Sequence, residues 1–356
     1  MRKKINISVI GRTSYAEIIK NTVSKVKSIC YIGAAMNVEE AKQYVVSSDV
    51  LLLDADLISP NENSILDELI KIKLVPIIIL ADGTVFHTTR TVYAMSNGAV
   101  DFIKLTSTHS KLEKEKLEEM IVDKIIHGSN VRVKKTIQPA KKETIEYEPK
   151  QRPDRKKVSR HSESIVAIGS STGGPRALQQ LLQDIPKDFT APIFIVQHMP
   201  SKFTKSLANR MNNVCHKRVK EAANGEIVQK GTVYIAPGNY HMKVVEKNNR
   251  LTIQLTKDAP RLGHRPSVNE LLDSIALLKN MHKVIVILTG MGRDGSEGIE
   301  QVKKYDSDAI IIAESQETAI INGMPSAAIA TNYVTEVLRI EDIGEALVDY
   351  TNTRGY

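Results

Sequence analysis

The sequence predicts two α/β units in tandem, each a mainly parallel sheet covered by helices. Three observations carry this reading. Short apolar runs alternate with helix-period stretches along most of the chain. In the first region, five such alternations fit into about 125 residues, the density of a compact parallel sheet with helices on both faces. A basic, proline-containing segment, residues 128–162, then interrupts the rhythm once before it resumes on a larger scale.

In residues 1–127 the strands are expected at 5–10, 30–35, 50–53, 77–80 and 100–103. The first helix is expected to begin at Ser14, with Glu17 three residues on as a capping-box pair. Ile18, Ile19, Val23 and Val26 would form its apolar face. Residues 128–162 hold eleven Lys/Arg against four Asp/Glu, which is nearly all of the chain's net charge of +8. The pI of about 9.2 therefore belongs to this segment and not to a binding face. With Pro139, Pro149 and Pro153 and little apolar periodicity, it reads as a solvated linker. A site for an anionic partner is the alternative, on charge alone.

In residues 163–356 strands are expected at 164–168, 193–197, 232–236, 284–288 and 309–313, most followed by helices. Between them, 240–255 has alternating apolar residues on either side of Asn248-Asn249, a hairpin signal. The expected fold is thus a parallel sheet with one antiparallel excursion.

Several classes are excluded. No apolar run reaches the 18 residues of a membrane span. The basic start, Met1-Arg2-Lys3-Lys4, leads into a stretch interrupted by Asn6 and Ser8, which reads as a strand and not as a signal peptide. Cys30 and Cys215 are far apart, with no C-x-x-C, so a reducing, cytoplasmic compartment is expected.

The most informative run is Ile168-Gly169-Ser170-Ser171-Thr172-Gly173-Gly174-Pro175. An apolar strand ends here and a helix opens, with Pro175 expected at its first position. Gly169-x-Ser171-x-Gly173 matches G-x-S-x-G, which puts a serine where a nucleophile can protrude. A glycine-rich turn that binds phosphate, or nothing, is the alternative; the fingerprints of dinucleotide and P-loop sites are missing. His198 follows the strand at 193–197, and His241 is the next candidate base. His87, His109 and His127 belong to the first region and His161 to the linker; His216, His264 and His282 have no matching position. Asp294 lies in the glycine-rich turn after the strand at 284–288, where a helix N-cap is the plainer role.

Ser171, His198 and Asp294 share one address, just past the carboxyl end of a parallel strand, where α/β sheets bind ligands. Chemistry gives the roles: Ser171 attacks a carbonyl, His198 moves the proton, and Asp294 orients the imidazole. The order Ser…His…Asp differs from that of α/β-hydrolases and implies a different fold.

Six motifs in order, Ile168–Pro175, Val196-Gln197-His198-Met199-Pro200, Ile235–His241, Arg265-Pro266-Ser267-Val268-Asn269, Leu288–Gly295 and Gly323-Met324-Pro325, resemble the chemotaxis protein-glutamate methylesterase (CheB) family. The resemblance implies a catalytic domain over 163–356, Rossmann-like, with the triad Ser171, His198 and Asp294. Thr172 and Met291, with its backbone N–H, would assist at the oxyanion site. It implies hydrolysis of glutamate methyl esters on methyl-accepting chemoreceptors and deamidation of receptor glutamines, without a cofactor. The chemotaxis histidine kinase is a second candidate partner. Nucleic acid and membrane insertion are not expected, and the chain is expected to be a monomer. A catalytically silent signalling adaptor is the alternative.

The family also carries an N-terminal response-regulator receiver of flavodoxin-like fold, which residues 1–127 resemble. Asp54 ends the third strand, where the phosphoacceptor stands. The acidic pair that would help hold Mg²⁺ is replaced by Gly11-Arg12, the hydroxyl after strand four by Ala81, and the lysine by Leu105, with Lys104 one residue early. The expectation is a pseudo-receiver whose Arg12 pairs with Asp54 and whose Mg²⁺ site is degraded.

Overall fold

The computed structural model describes residues 4–60, 65–105, 110–131 and 163–351. In the N-terminal unit the strands are β1 (Ile5–Ile10), β2 (Ile29–Ala35), β3 (Val50–Asp54), β4 (Ile77–Ala81) and β5 (Asp101–Lys104). The helices are α1 (Thr13–Val23), α2 (Val38–Val45), α3 (Ile65–Ile72), α4 (Val85–Ser96) and α5 (Lys111–Ser129). The strands run parallel in the order β2-β1-β3-β4-β5, which is the flavodoxin-like order. β3 and β4 are buried throughout, because helices cover both faces; their sequences are accordingly continuous apolar runs.

Two local expectations are corrected. Helix α1 starts at Thr13 behind Arg12, whose side chain makes no cap, so Ser14 and Glu17 form no capping box. Ile18 is 40% exposed instead of lying on the buried face. A capping box does form at the start of α5, between Ser110 and Glu113. Second, Gly128 and Ser129, read as the start of the linker, are the end of α5. Gly128 lies against Ile78, and Val131 is buried too. Residues 132–162 lie outside the described residues.

The C-terminal unit has β6 (Glu163–Ser170), β7 (Ile193–Gln197), β8 (Arg218–Glu221), β9 (Thr232–Ile235), β10 (His241–Lys247), β11 (Arg250–Thr256), β12 (Met281–Ile287), β13 (Ile310–Glu314) and β14 (Glu336–Leu338). Its helices are α6 (Gly174–Asp184), α7 (Phe203–Val214), α8 (Val268–Ala276), α9 (Ser296–Tyr305), α10 (Gly323–Ala330) and α11 (Ile340–Thr351). Seven parallel strands run β14-β13-β12-β6-β7-β9-β8, and β10 pairs antiparallel with β11. The hairpin turns at Asn248 and Asn249, with φ of 50° and 58°, the left-handed pair of a type I′ turn. β8 and β14 escaped the sequence reading because they are short edge strands rich in charge or half-buried.

β6 is flanked by β7 on one side and β12 on the other, so the order of strands switches there. A crevice outside the carboxyl ends of these three strands follows from that topology.

The two units pack on each other. Helix α4 lies against α7 and α6. Phe102 stacks on Phe203 with ring centroids 4.5 Å apart. Thr88 Oγ1 is 2.8 Å from Ser206 Oγ, and the Arg210 guanidinium lies 5.0 Å from the Tyr93 ring centre.

Candidate active site

The turn after β6 holds Ser171 by its backbone. Its N–H donates to the Thr289 carbonyl (3.0 Å), and its carbonyl accepts from Gly174 N–H and from Gln197 Nε2, each at 2.8 Å. Helix α6 then starts at Gly174, so Pro175 is its second residue and not its first. The turn that follows β12 passes close beside this one. A Cβ at Gly290 would lie 2.8 Å from Ser171 Cβ and 2.4 Å from Met324 Sδ. A Cβ at Gly323 would meet the backbone of Gly290, Met291 and Gly292. Only glycines allow the Gly290–Gly292 backbone, and with it Met291, to come this near the serine.

His198 is fixed at the end of β7 by its N–H, which donates to the Ser170 carbonyl (3.1 Å). Its Nε2 is 2.8 Å from Asp294 Oδ2. Its Nδ1 is buried and has no hydrogen-bond partner among the described residues. Asp294, 2% exposed, accepts three further bonds: Val268 N–H at 2.7 Å, Asn269 N–H at 3.0 Å and Ser267 Oγ at 2.9 Å. Burial pushes its carboxyl up, but His198 and the backbone N–H groups of Asn269 and Val268 outweigh that and hold it below the usual range. These donors come from the start of α8, whose dipole also favours the anion.

His241 is not a second base. It is fully buried; Nε2 donates to the Ala259 carbonyl (3.1 Å) while Nδ1 accepts from Ser267 N–H (3.2 Å). It supports Ser267, which in turn holds Asp294.

Two residues of this region, His264 and Glu314, stand outside the triad positions that the sequence marks. His264 stacks flat on His198, with centroids 3.8 Å apart and planes 6° from parallel. Burial, then His198 and Lys124, pushes its imidazole down to about 4, so it is neutral near pH 7. It sits in a tight turn closed by mutual backbone bonds with Arg261, a contact that strand-end position cannot reveal. Glu314 ends β13, 1% exposed, and accepts from Thr289 N–H at 2.8 Å and Thr318 Oγ1 at 3.0 Å. Thr289 Oγ1 donates in turn to the Thr172 carbonyl (2.9 Å).

The N-terminal unit reaches the same turn. Thr172 Oγ1 donates to Asp101 Oδ2 at 2.8 Å, and Asp101 Oδ1 takes Lys124 Nζ at 2.6 Å. The Thr172 hydroxyl is thus engaged by Asp101 in this arrangement.

The CheB methylesterase family model matches residues 166–347, which contain the whole constellation. The chain is 39% identical over 351 residues to a protein-glutamate methylesterase/protein-glutamine glutaminase of Halalkalibacterium halodurans, covering 98% of this chain and 99% of that one. It is 40% identical over 349 residues to a protein of the same name from Oceanobacillus iheyensis, covering 97% and 99%. This chain belongs to the CheB methylesterase family. Its structure is similar to the CheB methylesterase catalytic domain of Thermotoga maritima, with a TM-score of 0.51 and 44% identity, covering 52% of this chain and 98% of that one.

The second candidate site in this CheB-family chain is at Asp54. Arg12 lies across it, with Nε 2.7 Å from Oδ2 and Nη2 3.1 Å from Oδ1. Asp56 also pairs with Arg12. His87, 3% exposed, sits between two carboxylates, Nε2 2.7 Å from Asp56 and Nδ1 2.7 Å from Asp82. Its place here was not legible, since Asp56 follows β3 while Asp82 and His87 follow β4, so the contact joins two connections far apart in the chain. No helix among the described residues is long and apolar enough to cross a membrane.

Proposed function

We propose that this chain is a cytoplasmic protein-glutamate methylesterase and protein-glutamine glutaminase acting on methyl-accepting chemoreceptors. The observation that carries the reading is the His198–Asp294 pair beside a serine turn that Gly290 lets the neighbouring backbone approach. Ser171 Oγ attacks the side-chain carbonyl of the methyl ester. His198, with Nε2 facing Asp294, takes the serine proton on Nδ1. It returns that proton to the leaving methoxide, which departs as methanol. Water then attacks the acyl-enzyme, His198 takes its proton, and collapse frees the glutamate carboxylate and restores Ser171. With a glutamine substrate the first leaving group is ammonia. Asp294 stays ionised and balances the imidazolium.

Donors at Thr172 and the Met291 N–H would stabilise the tetrahedral oxyanion, at typically ~2.7–4 kcal/mol each. For its hydroxyl to serve the substrate, Thr172 must give up Asp101. The names of the bacterial relatives support this chemistry and its two substrates. The test is methanol release from pre-methylated receptor. Ser171→Ala is expected to lose up to ~10⁶-fold in turnover. Full activity in that variant refutes the assigned nucleophile, and a Ser171 that no fluorophosphonate labels favours the silent adaptor.

A further inference from the structure

A receiver fold implies a divalent cation beside the carboxylate that ends its third strand. The residues here do not fit that cation. Asp54 is 1% exposed, and both of its oxygens are taken. Arg12 supplies Nε and Nη2, and the backbone N–H groups of Arg12 and Asp56 add bonds of 3.2 and 3.1 Å. Asp54, Asp56 and His87 converge closely enough to hold a metal ion. Arg12 Nη2 instead touches all three, reaching His87 Nε2 at 3.4 Å.

The other parts of a cation and phosphoryl site are missing as well. Gly11 offers no ligand, and a side chain there would meet Asp54 Cβ at 2.2 Å. Ala81 is fully buried and has no hydroxyl. Leu105 is buried in the apolar cluster with Ile7 and Val9, while the Lys104 stem lies over Gly83. A divalent ion would have to expel a guanidinium that Asp54 itself holds in its charged form.

We propose that Arg12 is the resident cation of this unit, so that the N-terminal unit clamps the catalytic unit without Mg²⁺ and without phosphate on Asp54. Its anchor points connect to the interface. His87 and Arg90, which bonds the Ala55 and Asp56 carbonyls, sit on α4. The same helix carries Thr88 and Tyr93 against α7. The network therefore fixes the helix that faces the catalytic unit.

The link to esterase control rests on the proposed function; the site chemistry does not. The test treats the full chain with acetyl phosphate and Mg²⁺ and reads intact mass and methanol release together. No phosphoryl adduct and an unchanged rate are expected. An adduct, or a rate increase, that disappears in Asp54→Asn overturns the proposal. Thermal melting gives a second readout that needs no phosphate. Asp54→Asn and Arg12→Gln should each lower the melting temperature, and the double variant should be no worse than the worse single one. A rise in Asp54→Asn, as expected where clustered carboxylates repel, overturns it too. Absence of methanol release from wild type would strike the esterase reading alone, and mass and melting would still decide the role of Arg12.

Discussion

Asp294 and Glu314 are both buried carboxylates, and their surroundings set them apart. Asp294 has two backbone N–H groups, a hydroxyl and an imidazole directed at it. Glu314 has one N–H and one hydroxyl, and burial pushes it up to about 7. Asp294→Asn should keep substrate binding but lower kcat by ~10⁴-fold, because an amide cannot balance the imidazolium or fix its tautomer. A kcat within tenfold of wild type, on the order of 1.4 kcal/mol of barrier, would contradict that role.

For Glu314 the sign runs against the usual carboxylate. Its folded value lies above the unfolded one, so between about pH 4.5 and 7 the folded state holds the extra proton. Stability therefore falls as pH rises through that window, by roughly 3 kcal/mol from this group, and levels off above it. Glu314→Gln keeps an oxygen for Thr289 N–H and gives Thr318 a donor. It should flatten this slope and raise the denaturant midpoint at pH 8. An unchanged pH dependence would count against the assignment.

At the scale of elements, the parallel strands were legible because burial on both faces leaves unbroken apolar runs, as in Leu51-Leu52-Leu53 and Val284-Ile285-Val286. The hairpin was legible from its asparagine pair. Asn249, at φ 58°, tolerates the left-handed conformation that a β-branched residue would not. Asn249→Gly should stabilise by up to about 1 kcal/mol and Asn249→Val should cost about as much or more. Urea titration checks both, with methanol release unchanged. The start of α1 was misread because capping residues state only a local preference. Arg12 is drawn to Asp54, 42 residues away in sequence, and helix α1 starts behind it. Tertiary electrostatics overrode the capping signal of Ser14 and Glu17.

On the scale of the whole molecule, the N-terminal unit sits against the nucleophile turn. Asp101 holds the Thr172 hydroxyl, Lys124 acts on His264, and Phe102 stacks on Phe203 beside them. The Thr172 hydroxyl cannot serve a substrate oxyanion while it donates to Asp101. Residues 163–356 alone should therefore release methanol faster than the full chain. Asp101→Asn with Phe102→Ala should move the full chain toward the fragment's rate. Equal rates for fragment and full chain would make the unit a docking element only.

The two α/β units, the hairpin, and the strand-end address of Ser171, His198 and Asp294 were readable along the chain. Those features depend on apolar periodicity and on chain order, which are local. The pairing partner expected for Asp54 was legible as well, because a charge had replaced an acid at a known place. Packing in three dimensions was needed to bring His264 flat onto His198, to make His241 a support instead of a base, to set Glu314 behind the nucleophile turn and to carry Asp101 to Thr172. Each of these joins residues from separate loops or separate units. Their contacts depend on how the sheets and helices pack, and no spacing along the chain encodes that.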